Sequence, residues 1–516
     1  MTAATQLGQA LVQSGVTTVF TNPGTTELHL VEGFAATPGL RQILTLFEGV
    51  ASGAADGFAR MTGTPAAALL HLGPGFANAM ANLHNARRAN SPVVTLVGDH
   101  ALGHRMWDTP LQSDIAGMAR TVSISVNDCT DSNRLGHDGT VAVARAIEAR
   151  GVSTLIIPSD IAWNPAEPAP FLATSRATRT DRFELANAVA ALGRADDKAL
   201  IVGGGRLTRD GLAAARAIAS ATGAQLLAET FLPAMARGGG DPGPEVIPYL
   251  SEMATARLTA FDSFVLVGAK RPVGFFAYPG RSADCVPPGA RLCRMQLGSE
   301  GLDGALFELS GALGIRVEQS SAGVSSSPLP DDGPLTGAAV GLALAALMPE
   351  NAIISDEANT TGPELFGHTA AARPHDWLRL TGGAIGQGLP LATGAAVACP
   401  ERRVIALQSD GSALYTFQAL WTQAREKLDV TTLLLNNRSY AILQYEMTRM
   451  QLDKHPEQTD ALFKLVRPEI DFVALAQGMG VRALRVETVN QLLAALEESL
   501  SNSGPCLIDV VLTSER

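Results

Sequence analysis

Short apolar runs alternate with amphipathic stretches along most of the 516 residues. In the first third, Thr17–Phe20, Gln42–Phe47, Ala66–Leu72 and Pro92–Val97 have the length and density of buried parallel strands. Between them, residues 27–34, 50–62 and 77–89 carry apolar positions at the three-and-four spacing of helices. The alternation predicts a parallel sheet covered on both faces. A second unit opens with Ala199–Gly205 (ALIVGGG), a strand running into a glycine turn. A helix is expected over 209–222, with later strands near 263–267 and 291–296. In the last third, the apolar run Arg403–Gln408 precedes a helical pattern carried by Leu414, Phe417, Trp421, Ala424 and Leu428, and a further apolar run comes at Val430–Leu435. That order is a βαβ unit.

Two Pro/Ser/Ala-rich stretches, Trp163–Thr178 and Gln319–Leu335, read as linkers. The expected architecture is therefore α/β, with three doubly wound domains over residues 1–162, 179–318 and 335–516. With 46% hydrophobic and 17% charged residues, the chain can bury large cores and is not a disordered type. A formal charge of −11 gives no reason to expect nucleic acid or an anionic membrane as partner. The five cysteines (Cys129, Cys285, Cys293, Cys399, Cys506) form no CxxC pair and read as reduced thiols. The first residues lack a basic and apolar leader pattern, and the longest low-polarity run, Gly337–Met348, is too short to span a bilayer. A cytoplasmic protein is expected.

The chemistry concentrates in Ser409–Tyr440. In a βαβ unit the carboxyl ends of two parallel strands lie side by side with a helix N-terminus between them, and here Asp410 leaves the first strand and Asn437 the second. A hard cation such as Mg²⁺ takes oxygen ligands and keeps part of its shell for phosphate oxygens. Asp410, Asn437 and the Ser439 carbonyl are the expected metal ligands, and the free amides at the helix start, at Gly411 and Ser412, would meet the phosphates. Either half alone is more simply read as an ordinary Asp-Gly turn or a polar strand exit. Glu48 is the other carboxylate that stands out, because it comes directly after an apolar strand at the lip of the sheet, where parallel α/β folds place ligands.

Together, Ser409-Asp410-Gly411-Ser412 and Asn436-Asn437 resemble the thiamin diphosphate signature, Gly-Asp-Gly-Ser and, one helix and one strand later, Asn-Asn. Ser409 departs from the first glycine, a change that is tolerable where the backbone does not need a glycine-only conformation. Around Glu48, the downstream Ala55–Arg60 (ADGFAR) looks like the family's glutamate segment, in which the carboxyl hydrogen-bonds the aminopyrimidine ring. The resemblance covers nearly the whole chain, as pyrimidine-binding, spacer and diphosphate-binding domains, in the branch of acetolactate synthases and benzoylformate decarboxylase. Leu380–Gly394 resembles the segment that bends the cofactor, with Ile385 as its apolar wedge and the Gly383 carbonyl as acceptor for the exocyclic amine. Glu357–Thr361 (EANTT) resembles a cofactor-flanking loop, adding Glu357, Asn359 and Thr360 to the expected cofactor residues. Tyr440 joins them at the end of the diphosphate motif.

For the substrate, Asn22–Glu27 (NPGTTE) resembles the decarboxylase segment whose serine faces the substrate, which implies that role for Thr25. His71 matches that enzyme's active-site histidine. Its second histidine has no counterpart in Pro272–Gly280, where Phe275, Phe276 and Tyr278 stand. Gly73-Pro74-Gly75 and Leu111-Gln112-Ser113-Asp114 lean toward the synthases, with Gln112 as the implied polar contact. Leu72, Phe76, Leu111, Phe275 and Phe276 suggest an apolar pocket. The resemblance implies thiamin diphosphate- and Mg²⁺-dependent decarboxylation of a small 2-oxo acid with carboligation, with Glu48, His71, Thr25 and Gln112 as catalytic residues. The alternatives are a non-ligating decarboxylase and a catalytically silent relative. FAD in the spacer domain would mark a synthase subclass. Because Glu48 and Asp410 fall in different domains, a homodimer or homotetramer with sites between subunits is implied.

Overall fold

Apolar residues on alternate sides of the strands build three sheets in the computed structural model, which describes residues 1–167, 178–318, 323, 327–452 and 455–513. The two expected linkers lie partly outside the described residues. The first sheet holds β1 (Thr18–Thr21), β2 (Arg41–Leu44), β3 (Ala66–His71), β4 (Val93–Asp99), β5 (Ser125–Asp128) and β6 (Val152–Pro158), in the order β2-β1-β3-β4-β6-β5. Every pairing in it is parallel. Leu69, Val94 and Leu155 face one apolar layer and Leu70, Val93 and Ile156 face another, so helices cover both sides.

The middle stretch supplies β7 (Lys198–Val202), β8 (Arg206–Leu207), β9 (Gln225–Ala228), β10 (Ala234–Arg237), β11 (Glu245–Val246), β12 (Ser263–Val267) and β13 (Arg291–Met295). Five of these form a parallel sheet, β11-β9-β7-β12-β13, while β8 and β10 leave it and extend the third sheet. That third sheet is built from β14 (Ala352–Glu357), β15 (His375–Arg379), β16 (Val404–Ser409), β17 (Val430–Asn436), β18 (Arg482–Val486) and β19 (Cys506–Val511). Its order, β18-β19-β17-β16-β14-β15-β10-β8, contains the same topology as the first sheet: β14 to β19 stand where β1 to β6 stand. Among the described residues the β10–β15 pairing is the antiparallel one between its named strands. The expected α/β class with parallel sheets is what the chain adopts, and one apolar layer runs on from the middle sheet under the third.

Two helices hold the first and third units together. The helix Glu48–Thr62 crosses the helix Gly388–Ala398 through glycines: a Cβ on Gly57 would lie 2.2 Å from the Leu391 carbonyl oxygen, and one on Gly394 would lie 1.9 Å from that of Ala54. Only Gly permits so close an approach. Beside the crossing, Arg60 and Asp56 form a buried ion pair at 2.6 Å. Arg60 also donates to the carbonyls of Arg379 (2.7 Å) and Pro233 (3.2 Å), and Asp56 accepts from Gln387 Nε2 (2.8 Å). A charge pair this deep is tolerated because its remaining hydrogen bonds are made.

Three expected elements differ. The strand expected over Gln42–Phe47 ends at Leu44, so Thr45–Phe47 intervene before Glu48 opens its helix. The helix expected from Ala77 begins at Leu72, because Pro74 sits in the first turn, where no N–H is needed. The single helix expected through Leu414–Leu428 is two, Asp410–Ala413 and Ala419–Glu426. Between them the chain makes successive tight turns, and Thr416 Oγ1 donates to the Gly386 carbonyl at 2.9 Å, a tertiary bond that overrides the apolar spacing.

Candidate active site

The carboxyl edge of the third sheet gathers the expected metal residues. Ser409 pairs with Leu435 in register, so the exits of β16 and β17 are side by side. Asp410 opens the short helix after β16, buried, and accepts from the Gly411 amide at 2.8 Å. The Arg438 and Ser439 amides lie near enough to favour its ionised form, which places it beside the turn that contains Asn437 and Ser439, while the Arg438 amide itself donates to Asn436 Oδ1 at 3.2 Å. Arg438 takes a left-handed conformation (φ 57°), and Asn437 Oδ1 accepts from the Ser439 amide at 3.0 Å. Burial pushes the Asp410 carboxyl up to about 6, and its Oδ2 has no partner among the described residues. An orphaned carboxylate oxygen beside an amide side chain and a strand-exit carbonyl fits a hard dication that also binds phosphate. Among the described residues no three His, Cys, Asp or Glu side chains converge as a metal site, in keeping with so carboxylate-poor a donor set.

Ser409 has φ −73° and ψ 149°, ordinary extended backbone, so the glycine of the signature is not required there. Its hydroxyl donates to the Glu357 carbonyl (3.1 Å) and accepts from Asn359 Nδ2 (3.0 Å), tying two expected cofactor segments together. Thr360 is exposed on the same loop. A Cβ on Gly411 would lie 2.4 Å from the Tyr440 ring, so a larger residue there has to displace that ring. The Ser412 hydroxyl is engaged within the motif, donating to the Ser409 carbonyl (3.2 Å) and accepting from Gln408 Nε2 (2.7 Å).

The loop carrying Gly383 and Ile385 is held from both sides. Gly383 and Gly386 are left-handed (φ 77° and 90°). Glu357 uses its carboxylate here, accepting from the amides of Gly386 (2.6 Å) and Gly388. Burial raises that carboxyl to about 7, partly offset by those amides. From the first unit, Asn85 donates to the Ala384 carbonyl (2.8 Å), and Asn82 bridges the carbonyls of Gly49 (2.8 Å) and Gly386 (3.2 Å). The Phe275 ring lies against Gly383, where a Cβ would be 2.4 Å away, and stacks edge-on with Phe276 and Phe231. Tyr278, on the same segment, donates to Glu446 at 3.1 Å.

The other half of the site lies on the first sheet. Glu48, the first residue of its helix and 6% exposed, accepts from Asn22 Nδ2 (3.2 Å) and Asn78 Nδ2 (3.0 Å). His71 closes β3, and its Nδ1 lies 2.7 Å from Glu27 Oε2. That hydrogen bond, opposed by partial burial and aided by the charges of Glu27 and Glu48, raises the imidazole above its usual pKa. Thr25 is exposed, and it shares a cleft with Thr26, His71, Leu72, His100, His104, Leu111 and Trp163. Leu111 lines that cleft and its half-buried neighbour Gln112 does not. Phe76 belongs to the core of the first unit. Among the described residues no hydrogen bond or ion pair joins Glu48 or His71 to Asp410, Asn437 or Ser439.

Asn78, Asn82, Asn85, Glu27 and Gln408 are the polar groups that residue-by-residue reading passes over. Asn78, Asn82 and Asn85 recur at three- and four-residue spacing on one helix face, running from an exposed Asn78 to the buried Asn82 and Asn85, and that spacing of asparagines is the signal the sequence carries.

At the carboxyl edge of the middle sheet, the glycine turn after β7 is closed by its own chain. Glu229 accepts from the Gly204 amide at 2.5 Å, and Asn90 Nδ2 of the first unit donates to the Gly204 carbonyl at 2.9 Å. A Cβ on Gly204 would lie 2.5 Å from the Gly268 carbonyl oxygen, so the turns after neighbouring strands β7 and β12 touch backbone to backbone.

Two family models match the chain: the N-terminal thiamine pyrophosphate-binding domain of thiamine pyrophosphate enzymes over residues 1–119, and the C-terminal binding domain over residues 364–510. The chain is 46% identical to "Putative acetolactate synthase large subunit IlvX" of Mycobacterium tuberculosis, covering 100% of this chain and 99% of that protein. It is 29% identical to benzoylformate decarboxylase of Pseudomonas aeruginosa, covering 97% of each. Among solved structures, the thiamine diphosphate-dependent 4-hydroxybenzoylformate decarboxylase of Rhodococcus jostii RHA1 superimposes with a TM-score of 0.84 at 25% identity, over 100% of both chains.

Proposed function

This chain belongs to the thiamine pyrophosphate enzyme family, in the acetolactate synthase and benzoylformate decarboxylase branch, and from that premise we propose that it decarboxylates a small 2-oxo acid using thiamin diphosphate and Mg²⁺. The observation that carries the reading is Glu48, placed at the start of a helix with its carboxylate fixed by two asparagine amides. When bound, the cofactor supplies the carbon nucleophile and the electron sink for loss of CO₂. Asp410, Asn437 and the Ser439 carbonyl would hold the metal, and the amides of Gly411 and Ser412 would face the diphosphate. The Gly383–Ile385 loop, tied down by Glu357, Asn82 and Asn85, would orient the two rings. Glu48 would hydrogen-bond the aminopyrimidine and relay its proton. Since Glu48 and Asp410 share no contact within the chain, the working site is assigned to the interface of two subunits, as a homodimer or a dimer of dimers.

His71 governs the fate of the reacting carbon once CO₂ has left. Held by Glu27, it keeps a proton that it can deliver to that carbon, which favours release of an aldehyde. Carboligation is the second reading. It is supported by the likeness to a protein named for acetolactate synthase and by a cleft beside Thr25 and His71 where a second carbonyl compound can enter. FAD does not fit the middle unit, because the amide that would meet a dinucleotide's phosphate already serves Glu229 and the strand-end turns are in contact.

The test is to offer pyruvate and benzoylformate separately to purified protein with thiamin diphosphate and Mg²⁺, recording CO₂ and the organic product. An aldehyde supports proton delivery by His71, and acetolactate from pyruvate supports carboligation. Absence of CO₂ from a panel of 2-oxo acids, with the cofactor bound, overturns the proposal.

A further inference from the structure

We propose that the protein holds a small monovalent anion, of the halide class, in a buried site against Arg237, beneath the helix Gly362–His368. Arg237 ends β10 and is 1% exposed, with its guanidinium 3.6 Å from the centre of the Phe366 ring and 5.3 Å from that of Trp377. Its side chain makes no hydrogen bond to any described residue, and its Nε and Nη1 are both buried without a partner. Arg379 lies against the same Phe366 ring at 4.2 Å, and its Nε is also unpartnered. In register, Arg237 stands opposite His375 across the antiparallel β10–β15 pair, and strand alternation puts His375, Trp377 and Arg379 on one face.

The charges near Arg237 do not balance. Arg209 adds a third cation, donating to the Arg237 and Gly238 carbonyls at 3.3 Å. Two carboxylates lie on this side and both are engaged: Asp356 by Trp377 Nε1 (2.9 Å) and the Ala358 amide (3.1 Å), and Asp241, beside Arg209, by Arg216 Nε (2.6 Å). Asp376, one residue out of phase on β15, is taken by Arg206 (3.1 Å) and Arg402 (2.8 Å). His375 supplies no negative charge and hydrogen-bonds the Arg373 carbonyl through Nδ1 at 2.7 Å.

Buried ionised groups in proteins are paired, and buried N–H donors nearly always find acceptors. Stacking on Phe366 and Trp377 compensates a guanidinium only in part. An acceptor that carries one negative charge satisfies both requirements at once. The Phe366 and Trp377 rings that pack on the guanidinium offer an apolar wall, which suits a weakly hydrated single-atom anion better than phosphate. Asp356 links Trp377 to the Ala358 amide, so occupancy would stabilise the fold next to the expected cofactor residues.

Crystals soaked in bromide test the assignment on the unaltered protein: an anomalous peak within hydrogen-bond reach of Arg237 Nε or Nη1 is expected. In parallel, the Tm is compared in sodium chloride and sodium gluconate at equal ionic strength. A rise that saturates with chloride and disappears in Arg237→Met supports the site. No anomalous peak, with equal Tm in the two salts, overturns it and leaves water as the partner of Arg237. Should Arg237→Met fail to fold, the bromide map alone decides.

Discussion

The Glu27 carboxylate accepts a hydrogen bond from His71 Nδ1 across 2.7 Å, joining the loops that leave adjacent strands β1 and β3. Glu27 is fully buried and also accepts from the Gly24 amide (2.8 Å) and the Thr26 hydroxyl (2.5 Å), so the histidine meets a fixed partner. The folded pKa of His71 is raised above 6.5, so the stability it contributes is fully present below that value and is lost as pH rises through the folded pKa. If His71 is the proton donor, turnover has a basic limb at that raised pKa. Glu27→Gln should move the basic limb of kcat to lower pH, as measured by a pH–rate profile. An unmoved limb would remove His71 from the proton path.

Glu48→Gln keeps the shape and the two asparagine neighbours but cannot relay a proton in the same way. Exchange of the cofactor's C2 proton, measured by NMR in deuterium oxide, should fall by ~100-fold or more while cofactor binding survives. Normal exchange in this variant would sink the assignment of Glu48.

The parts of this molecule that are legible in the sequence are those where periodicity or a motif speaks for itself. Strand-to-helix alternation announces parallel sheets, and the Asp410 and Asn437 exits land side by side because a βαβ unit requires it. The features that escape such reading depend on contacts distant in sequence. The break at Leu414–Gln418 arises from Thr416 bonding Gly386, thirty residues away, which no local spacing reports. The transfer of β8 and β10 to the third sheet is likewise a matter of long-range pairing, through the β10–β15 ladder. Glu357 reads as a cofactor neighbour from its loop, yet its carboxylate serves the amides of Gly386 and Gly388. Ser409 reads as a departure from the motif, and its backbone angles explain why serine is accepted.

The diphosphate end of the site can be tested without turnover. Gly411→Ala would drive a methyl group into the Tyr440 ring, so thiamin diphosphate affinity by calorimetry should weaken about tenfold or more, a change of ~1.4 kcal/mol. Chelation of divalent metal should release the cofactor from the unaltered protein, and Mg²⁺ should restore binding. Affinity indifferent to chelation would exclude Asp410, Asn437 and Ser439 as a metal-mediated anchor.

The crossing of the Glu48 and Gly388 helices makes the sharpest claim about stability. At Gly57 and Gly394 an added methyl meets backbone oxygen at 2.2 and 1.9 Å, and backbone inside two packed helices cannot turn aside as a side chain would. Each Gly→Ala change should therefore cost about 1–3 kcal/mol or more, despite the better helix propensity of alanine. Gly103→Ala is the control, since nothing lies within 4 Å of a Cβ there and its φ is not left-handed, and it should be close to neutral. Urea midpoints for the three variants give the comparison. The same crossing seats the Glu48 helix on the unit that carries Asp410, so Gly57→Ala and Gly394→Ala should also lower kcat where Gly103→Ala does not. If all three variants unfold at the same urea concentration, the close helix contact is absent in solution, and the seating of the Glu48 helix has to be explained by the Asn82, Asn85 and Arg60 hydrogen bonds.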